Sequence, residues 1–192
     1  MEKQSHFFYA VRIPEETKIV MRNHMEKIKE RIPFGRWVHY QDLHITLAFL
    51  GNAPQDKLTE ADKNVKAALN DKTALTLQIN KLGYFGSAAS PRVFWADTEE
   101  SHQLHTIRNR VFSACERSGF QLETRPFRPH ITLARKWKGE QPFHNEMLHL
   151  WNEVQPTPLS FKASEVVLYQ TNLTQTPKYE AIKIYPLNNT KT

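Results

Sequence analysis

His44-Ile45-Thr46-Leu47 returns 86 positions later as His130-Ile131-Thr132-Leu133. Each copy lies in an apolar run that reads as a strand. Side chains of a strand alternate between its faces, so His44 and Thr46 share one face, and so do His130 and Thr132. Each copy therefore presents an imidazole beside a hydroxyl, backed by an apolar face. Imidazole accepts or donates a proton near neutral pH. Two such groups facing one cleft, one neutral and one protonated, suit a concerted reaction. One takes a proton from water while the other protonates a leaving oxygen. The threonine hydroxyls would donate hydrogen bonds to non-bridging phosphoryl oxygens. Nothing in this chemistry demands a metal or a cofactor.

A single histidine in a strand is more often structural than catalytic. A second copy with the same surroundings weakens that explanation. A duplication kept for structure alone would preserve the apolar positions before a polar pair on the opposite face.

The elements that must hold the two copies can be read from periodicity. His6 to Ile13 is a strand ended by Pro14. Glu15 to about Arg31 is an amphipathic helix, broken by Pro33 and Gly35. Arg36-Trp37-Val38 is a short extended piece, and residues 39–42 form a turn into the first motif strand, which ends near Gly51. Pro54 to about Leu69 is a second helix. Thr73 to Phe85 and Arg92 to Asp97 are strands around a loop. Glu99 to about Ser118 is a third helix with Gly119 at its C-cap. Phe120 to Pro129 is an extended lead-in to the second motif strand, which reaches about Trp137. A short helix over Pro142 to Trp151 and strands over Leu159 to Thr171 and Tyr179 to Pro186 follow. This order is a weak internal duplication centred on the motif. It predicts an α+β fold with two antiparallel sheets, helices packed outside, and a groove between two lobes. No shift in composition splits residues 1–192, so one bilobal domain is expected.

Hydrophobic residues at 40% and aromatics at 11% of 192 residues can build a packed core, which excludes a disordered chain. No run approaches the roughly 18 apolar residues of a membrane span, and the first residues lack a signal-peptide core, so a cytoplasmic location is expected. A net charge of +6 gives mild support to a polyanionic ligand. Cys115, the one cysteine, falls in a helical pattern and reads as a small buried hydrophobe. His102 and His105 are spaced to share a helix face, but without a carboxylate or cysteine companion they make a poor metal site. Arg128, two residues before His130, would meet a phosphate if the strand extended back through Pro129. Arg135, three beyond Thr132, falls on the opposite face by strict alternation unless the strand twists. Phe49 alternates with the core-facing Ile45 and Leu47 and is expected inside. Trp37, Phe85 and Phe127 are candidates for stacking on a base at the groove rim, with core packing the commoner role. His39 lies close to the groove mouth in sequence.

HITLAFLG and HITLAR resemble the paired H-x-T-x signatures of the 2H phosphoesterase superfamily. RWVHYQDLHITLAFLG, SPRVFWADTE, GFQLETRPFRPHITLAR and SEVVLYQTNLTQTPKYEAI resemble, in order and spacing, its bacterial and archaeal RNA 2',3'-cyclic phosphodiesterases, also called 2'-5' RNA ligases. The resemblance runs from Phe7 to Leu187. It implies a bilobal fold with pseudo-two-fold symmetry and an active-site groove between the lobes. It also implies metal-independent hydrolysis of 2',3'-cyclic phosphate RNA ends to 2'-phosphomonoesters. By the same resemblance His44 is the proton donor, His130 the proton acceptor, and Thr46 and Thr132 the phosphate contacts. Arg135 matches a recurrent arginine of the second motif and is carried as a phosphate or RNA contact. The residues alone leave open which histidine is the acid and which bond of the ring is cut. The partner implied is RNA with cyclic phosphate ends, tRNA halves among the candidates, met by a monomer. Gln41-Asp42, His39-Tyr40 and Ala96 depart from the usual text and touch the approach loops. Two other readings remain: an enzyme joining RNA ends or acting on small cyclic phosphates or 2'-5' oligonucleotides, and an RNA-binding module without catalysis.

Overall fold

The computed structural model of the chain describes residues 5–189. Among them the strands are β1 (His6–Arg12), β2 (Phe34–Trp37), β3 (His44–Asn52), β4 (Leu75–Gly86), β5 (Pro91–Thr98), β6 (His130–Trp137), β7 (Leu159–Ala163), β8 (Glu165–Thr171) and β9 (Tyr179–Pro186). The α-helices are α1 (Glu15–Lys29), α2 (Gln55–Leu69), α3 (His102–Arg117) and the short α4 (Leu150–Val154). The strands form two antiparallel sheets, ordered β3-β1-β8-β9 and β2-β6-β5-β4-β7. Setting β2 aside, the sheets correspond strand for strand: each motif strand pairs with the strand that precedes a helix, and two further antiparallel strands, β8 and β9 or β4 and β7, complete the sheet. This is the two-lobed α+β architecture expected from the duplication.

The sequence reading treats Leu159 to Thr171 as one strand. The structure divides it at Ser164. β7 pairs with β4 in one sheet, and β8 pairs with β1 in the other. Apolar residues run through both halves, alternating over Leu159, Phe161 and Ala163 and continuous over Val166 to Tyr169, so composition alone does not show the change of sheet. The final two strands return to the lobe that β1 and β3 began. The expected short helix over Pro142 to Trp151 is instead a 3₁₀ segment over Asn145–His149 followed by α4.

Each long helix buries one stripe. α2 turns Leu58, Ala61, Val65 and Leu69 inward, and α3 turns Leu104, Ile107, Val111, Ala114 and Cys115 inward. These are helical spacings of three and four. Ser101 caps α3 by accepting the Leu104 N–H at 3.2 Å. α2 and α3 pack on each other, and one continuous hydrophobic cluster joins residues of both sheets, including Ile45, Leu47, Ile131 and Leu133. Cys115 lies within it, and burial pushes its thiol up to about 12. It is inert packing.

The opposite face of the first sheet carries a smaller apolar cluster of Phe8, Ala10, Val167 and Tyr169, with Tyr179 and Ala181 beside it. In β8, Val166 and Leu168 face the main core while Val167 and Tyr169 face away. The sheet is thus apolar on both sides, and its outer face floors the groove. On the other lobe Gly83 of β4 stands opposite Trp95 of β5. A Cβ at Gly83 would come within 2.2 Å of the Trp95 ring. The glycine makes room for an indole that lies beside His130, with ring centroids 6.1 Å apart.

Candidate active site

β3 and β6 lie beside one another, with Cα atoms within 8 Å, and belong to different sheets. Their outward residues meet in one cavity of about 270 Å³. His44, Thr46, His130 and Thr132 all line it, together with Phe49 and Arg135. Four residues that strand alternation placed on two separate faces therefore share one space.

The placement of Arg135 and Phe49 follows from an irregularity common to both strands. Opposite β1, Tyr9 pairs with Ala48 and Ala10 with Thr46, so Leu47 is an extra residue. Opposite β5, Trp95 pairs with Thr132 and Phe94 with Ala134, so Leu133 is extra in the same way. An extra residue resets the alternation beyond it. Leu47 and Ala48 are both buried, as are Leu133 and Ala134. The fifth residue after each histidine then returns to the groove. Strict alternation fails for Phe49, which was expected in the core and is 57% exposed. The same slip carries Arg135 into the cavity. The signal was present as two consecutive small or aliphatic residues after each threonine.

The two imidazoles are held alike. His44 Nδ1–H donates to the Asp42 carbonyl at 2.7 Å, and His130 Nδ1–H donates to the Arg128 carbonyl at 2.7 Å. A carbonyl can only accept, so in each neutral ring Nε2 carries the lone pair. The Thr46 hydroxyl donates to Nε2 of His44 at 3.0 Å. Phe8 packs on the His44 ring at 4.8 Å between centroids, and Tyr179 meets it edge-on at 5.2 Å. Phe85 meets His130 edge-on at 4.9 Å.

Burial holds both imidazoles neutral. It pushes His44 down to about 4, against the hydrogen bond to Asp42 and the Asp42 charge, while His130 and Lys18 push the same way as burial. Burial also lowers His130. The Arg128 carbonyl opposes this, and the charges of Arg135 and Arg128 add to it.

Asp42 is a residue of the site's wall that sequence reasoning missed. It is buried in a 3₁₀ turn, Tyr40–Asp42, just ahead of β3. Its carboxylate accepts the backbone N–H groups of Lys178 and Tyr179 at 3.1 and 3.0 Å. One residue thereby fastens the start of β9 and, through its own carbonyl, orients His44. Lys18 donates to the Gln41 carbonyl of the same turn at 2.8 Å. His39 caps that turn: its Nδ1 accepts the Gln41 N–H at 3.3 Å.

Arg128 does not reach the shared cavity. β6 begins at His130, and the Arg128 guanidinium lies over the Phe85 ring at 5.4 Å, lining a neighbouring cavity on the far side of His130. Phe85 and Phe127 line that neighbouring cavity, Phe127 against His105 at 5.1 Å. Trp37 lines a third groove beyond Arg135. Among the described residues no group of three or more His, Cys, Asp or Glu side chains is placed to hold a metal ion, and no helix is long and apolar enough to cross a membrane.

The model of the 2'-5' RNA ligase superfamily matches residues 19–175 of this chain. The chain belongs to that superfamily. It is 40% identical over 185 residues to a Geobacillus stearothermophilus protein named RNA 2',3'-cyclic phosphodiesterase, covering 96% of this chain and 58% of the relative. The chain thus spans little more than half the length of that relative. It is 34% identical to the Bacillus subtilis protein of the same name, covering 95% of this chain and 97% of that one. Among solved structures, Escherichia coli LigT in its apo form superposes with a TM-score of 0.74 at 24% identity, covering 96% of this chain and 98% of LigT. At that identity the likeness speaks for the fold, and it agrees with the two-lobed architecture described above.

Proposed function

We propose that the chain hydrolyses 2',3'-cyclic phosphate ends of RNA to 2'-phosphomonoesters. The observation that carries this reading is the convergence of two Nε2 atoms and two hydroxyls on one cavity. Two relatives of 34 and 40% identity bear the name of that activity. His130 Nε2 takes a proton from water as its oxygen attacks phosphorus. His44 gives a proton to O3' as the P–O3' bond breaks, leaving a 3'-hydroxyl and a 2'-phosphate. Thr46 and Thr132 donate to the non-bridging oxygens, where charge shifts during the reaction. Arg135 offsets the phosphate charge. The proton transfers need no metal, and both histidines come from one chain, so residues 1–192 act as one bilobal unit and as a monomer. RNA ends in the cytoplasm, tRNA halves among them, are its substrates. Joining ends through a 2'-5' linkage would use the same site in reverse, with an RNA hydroxyl in place of water.

Product end-group analysis tests this reading. An oligonucleotide ending in 2',3'-cyclic phosphate, incubated with the protein in EDTA, should acquire a 2'-phosphate. A 3'-phosphate product, or loss of turnover caused by the chelator, would overturn the stated chemistry.

The pH profile tests the roles. In the free protein His44 is lowered to about 4, so its proton-bearing form is scarce at neutral pH. His130, also lowered, is neutral there and ready as a base. kcat/KM reports the free protein. It should therefore climb as pH falls from 8 towards 6, while kcat, which reports the complex with an anionic phosphate beside His44, stays flatter. A kcat/KM that climbs with rising pH through this range would remove His44 as the donor.

A further inference from the structure

The reaction cavity is flanked by two larger hollows of opposite electrostatic character. On the β4–β5 side lies a hollow of about 590 Å³ whose walls include Asp97, Glu99 and Glu100. Its cations are Arg128, stacked on Phe85, and Lys81, paired with Asp97 at 3.2 Å. On the α1–β2 side lies a groove of about 870 Å³ that shares Val38, Asp42, Arg135 and Lys178 with the reaction cavity. Five cations line it: Arg22, Lys29, Arg36, Arg135 and Lys178. Its carboxylates are Glu26 and Asp42, and Asp42 is buried and occupied by backbone N–H groups. Among the described residues none of these five cations has a carboxylate within ion-pair distance.

Two details fit this groove to an anion. Arg36 of β2 stands directly opposite Arg135 of β6, so both guanidinium stems leave the same face of the sheet. Like charges directly opposite cost stability unless an anion lies between them. The cations also alternate with rings. Arg22 covers Tyr40 at 5.0 Å, Lys178 covers Tyr179 at 4.8 Å, and Trp37 is half-buried in the wall. A basic groove with interleaved aromatic faces is the pattern that follows a single-stranded nucleic acid.

We infer that the α1–β2 groove carries the RNA strand on the 5' side of the cyclic phosphate, and that the β4–β5 hollow does not. This rests on the proposed reaction and adds the direction in which the polymer leaves the site. Arg22 and Lys29 are seven residues apart on α1, on one face and roughly 10 Å apart along the axis. At about 3.4 Å per stacked nucleotide this spans about three nucleotides. The groove therefore recognises a polymer end, and a mononucleotide leaves it empty.

The test compares a mononucleotide with di-, tri- and tetranucleotides, all ending in 2',3'-cyclic phosphate. For the wild-type chain, KM should fall with length and level off near four nucleotides. In the triple variant Arg22→Glu, Lys29→Glu, Arg36→Gln, KM for the tetranucleotide should rise at least about tenfold. Its dependence on log salt should lose roughly two units of slope, at ~0.7 per phosphate contact. Turnover of the mononucleotide should stay within about twofold of wild type, which also reports an intact fold. Glu99→Gln with Glu100→Gln should leave the length dependence unchanged. An unchanged tetranucleotide KM in the triple variant overturns the inference. So do equal losses on both substrates, or a larger effect from the Glu99 and Glu100 pair. Failure of the wild-type chain to open either cyclic phosphate would instead overturn the proposed reaction.

Discussion

His130→Ala and His44→Ala should each lower kcat on a cyclic-phosphate RNA end by about 10²- to 10⁴-fold, the usual worth of a positioned acid or base. That range corresponds to about 3–5 kcal/mol of transition-state stabilisation. The double variant should cost little more than the larger single one, because the two groups act in one step. Affinity for a 2'-phosphate product should fall far less than kcat, since both hydroxyls and Arg135 remain. His44 packs among Phe8, Tyr169 and Tyr179, so His44→Gln is a useful companion that fills more of the space. Single-turnover rates decide the matter. A variant at either position that keeps more than a tenth of the wild-type rate would mean that water is activated, or the leaving oxygen protonated, by another group.

Asp42→Ala should damage both stability and rate. The substitution leaves the N–H groups of Lys178 and Tyr179 without their acceptor. An unmet buried donor costs roughly 1–3 kcal/mol, and two donors near a groove rim, part-hydrated once freed, should cost about 2–3 kcal/mol together. For a chain of this size that lowers Tm by roughly 5–10 °C. The catalytic loss should be about 10- to 100-fold in kcat. The Asp42 side chain tethers the turn whose backbone carbonyl orients His44, and the Tyr179 ring, which follows the tethered backbone, packs on His44. Asp42→Asn keeps one acceptor oxygen and should recover part of both losses. Asp42 is a positioning residue, so the alkaline limb of kcat/KM should move along with kcat in Asp42→Ala. Wild-type kcat in a variant of lowered Tm would reduce Asp42 to a structural tether.

Much of this site can be read in the sequence because strand alternation is a short-range rule. His44 with Thr46, and His130 with Thr132, need only two residues of regular strand to share a face. The helical stripes of α2 and α3 are legible for the same reason. What escapes is set by pairing between distant segments. The slips at Leu47 and Leu133 exist only relative to β1 and β5, so alternation sends Phe49 to the core and leaves Arg135 ambiguous. The division at Ser164 depends on β4 and β1 competing for one apolar stretch. Asp42 precedes the motif by two residues, yet its partners lie at 178 and 179. A lone carboxylate in a turn has no local pattern that reveals them. Arg128 shows the limit of the same rule: it shares the face of His130 only if the strand extends back through Pro129, and the strand begins at His130.

The matched slips have one more consequence, and it concerns regiochemistry. A cyclic phosphate joins two neighbouring oxygens, and a site with two equal His–Thr pairs would accept the ring in either of two orientations. Turning the ring over exchanges acid and base and releases the other oxygen. The two halves of this cavity are equal at the first and third residues of each motif and differ at the sixth, where one lobe presents Phe49 and the other Arg135. Without the extra residue in each strand, both side chains would turn away from the groove, and this difference between the two His–Thr pairs would be lost. The kink that breaks the alternation therefore helps, beside Asp42 and Lys178 on one wall, to give the site a left and a right.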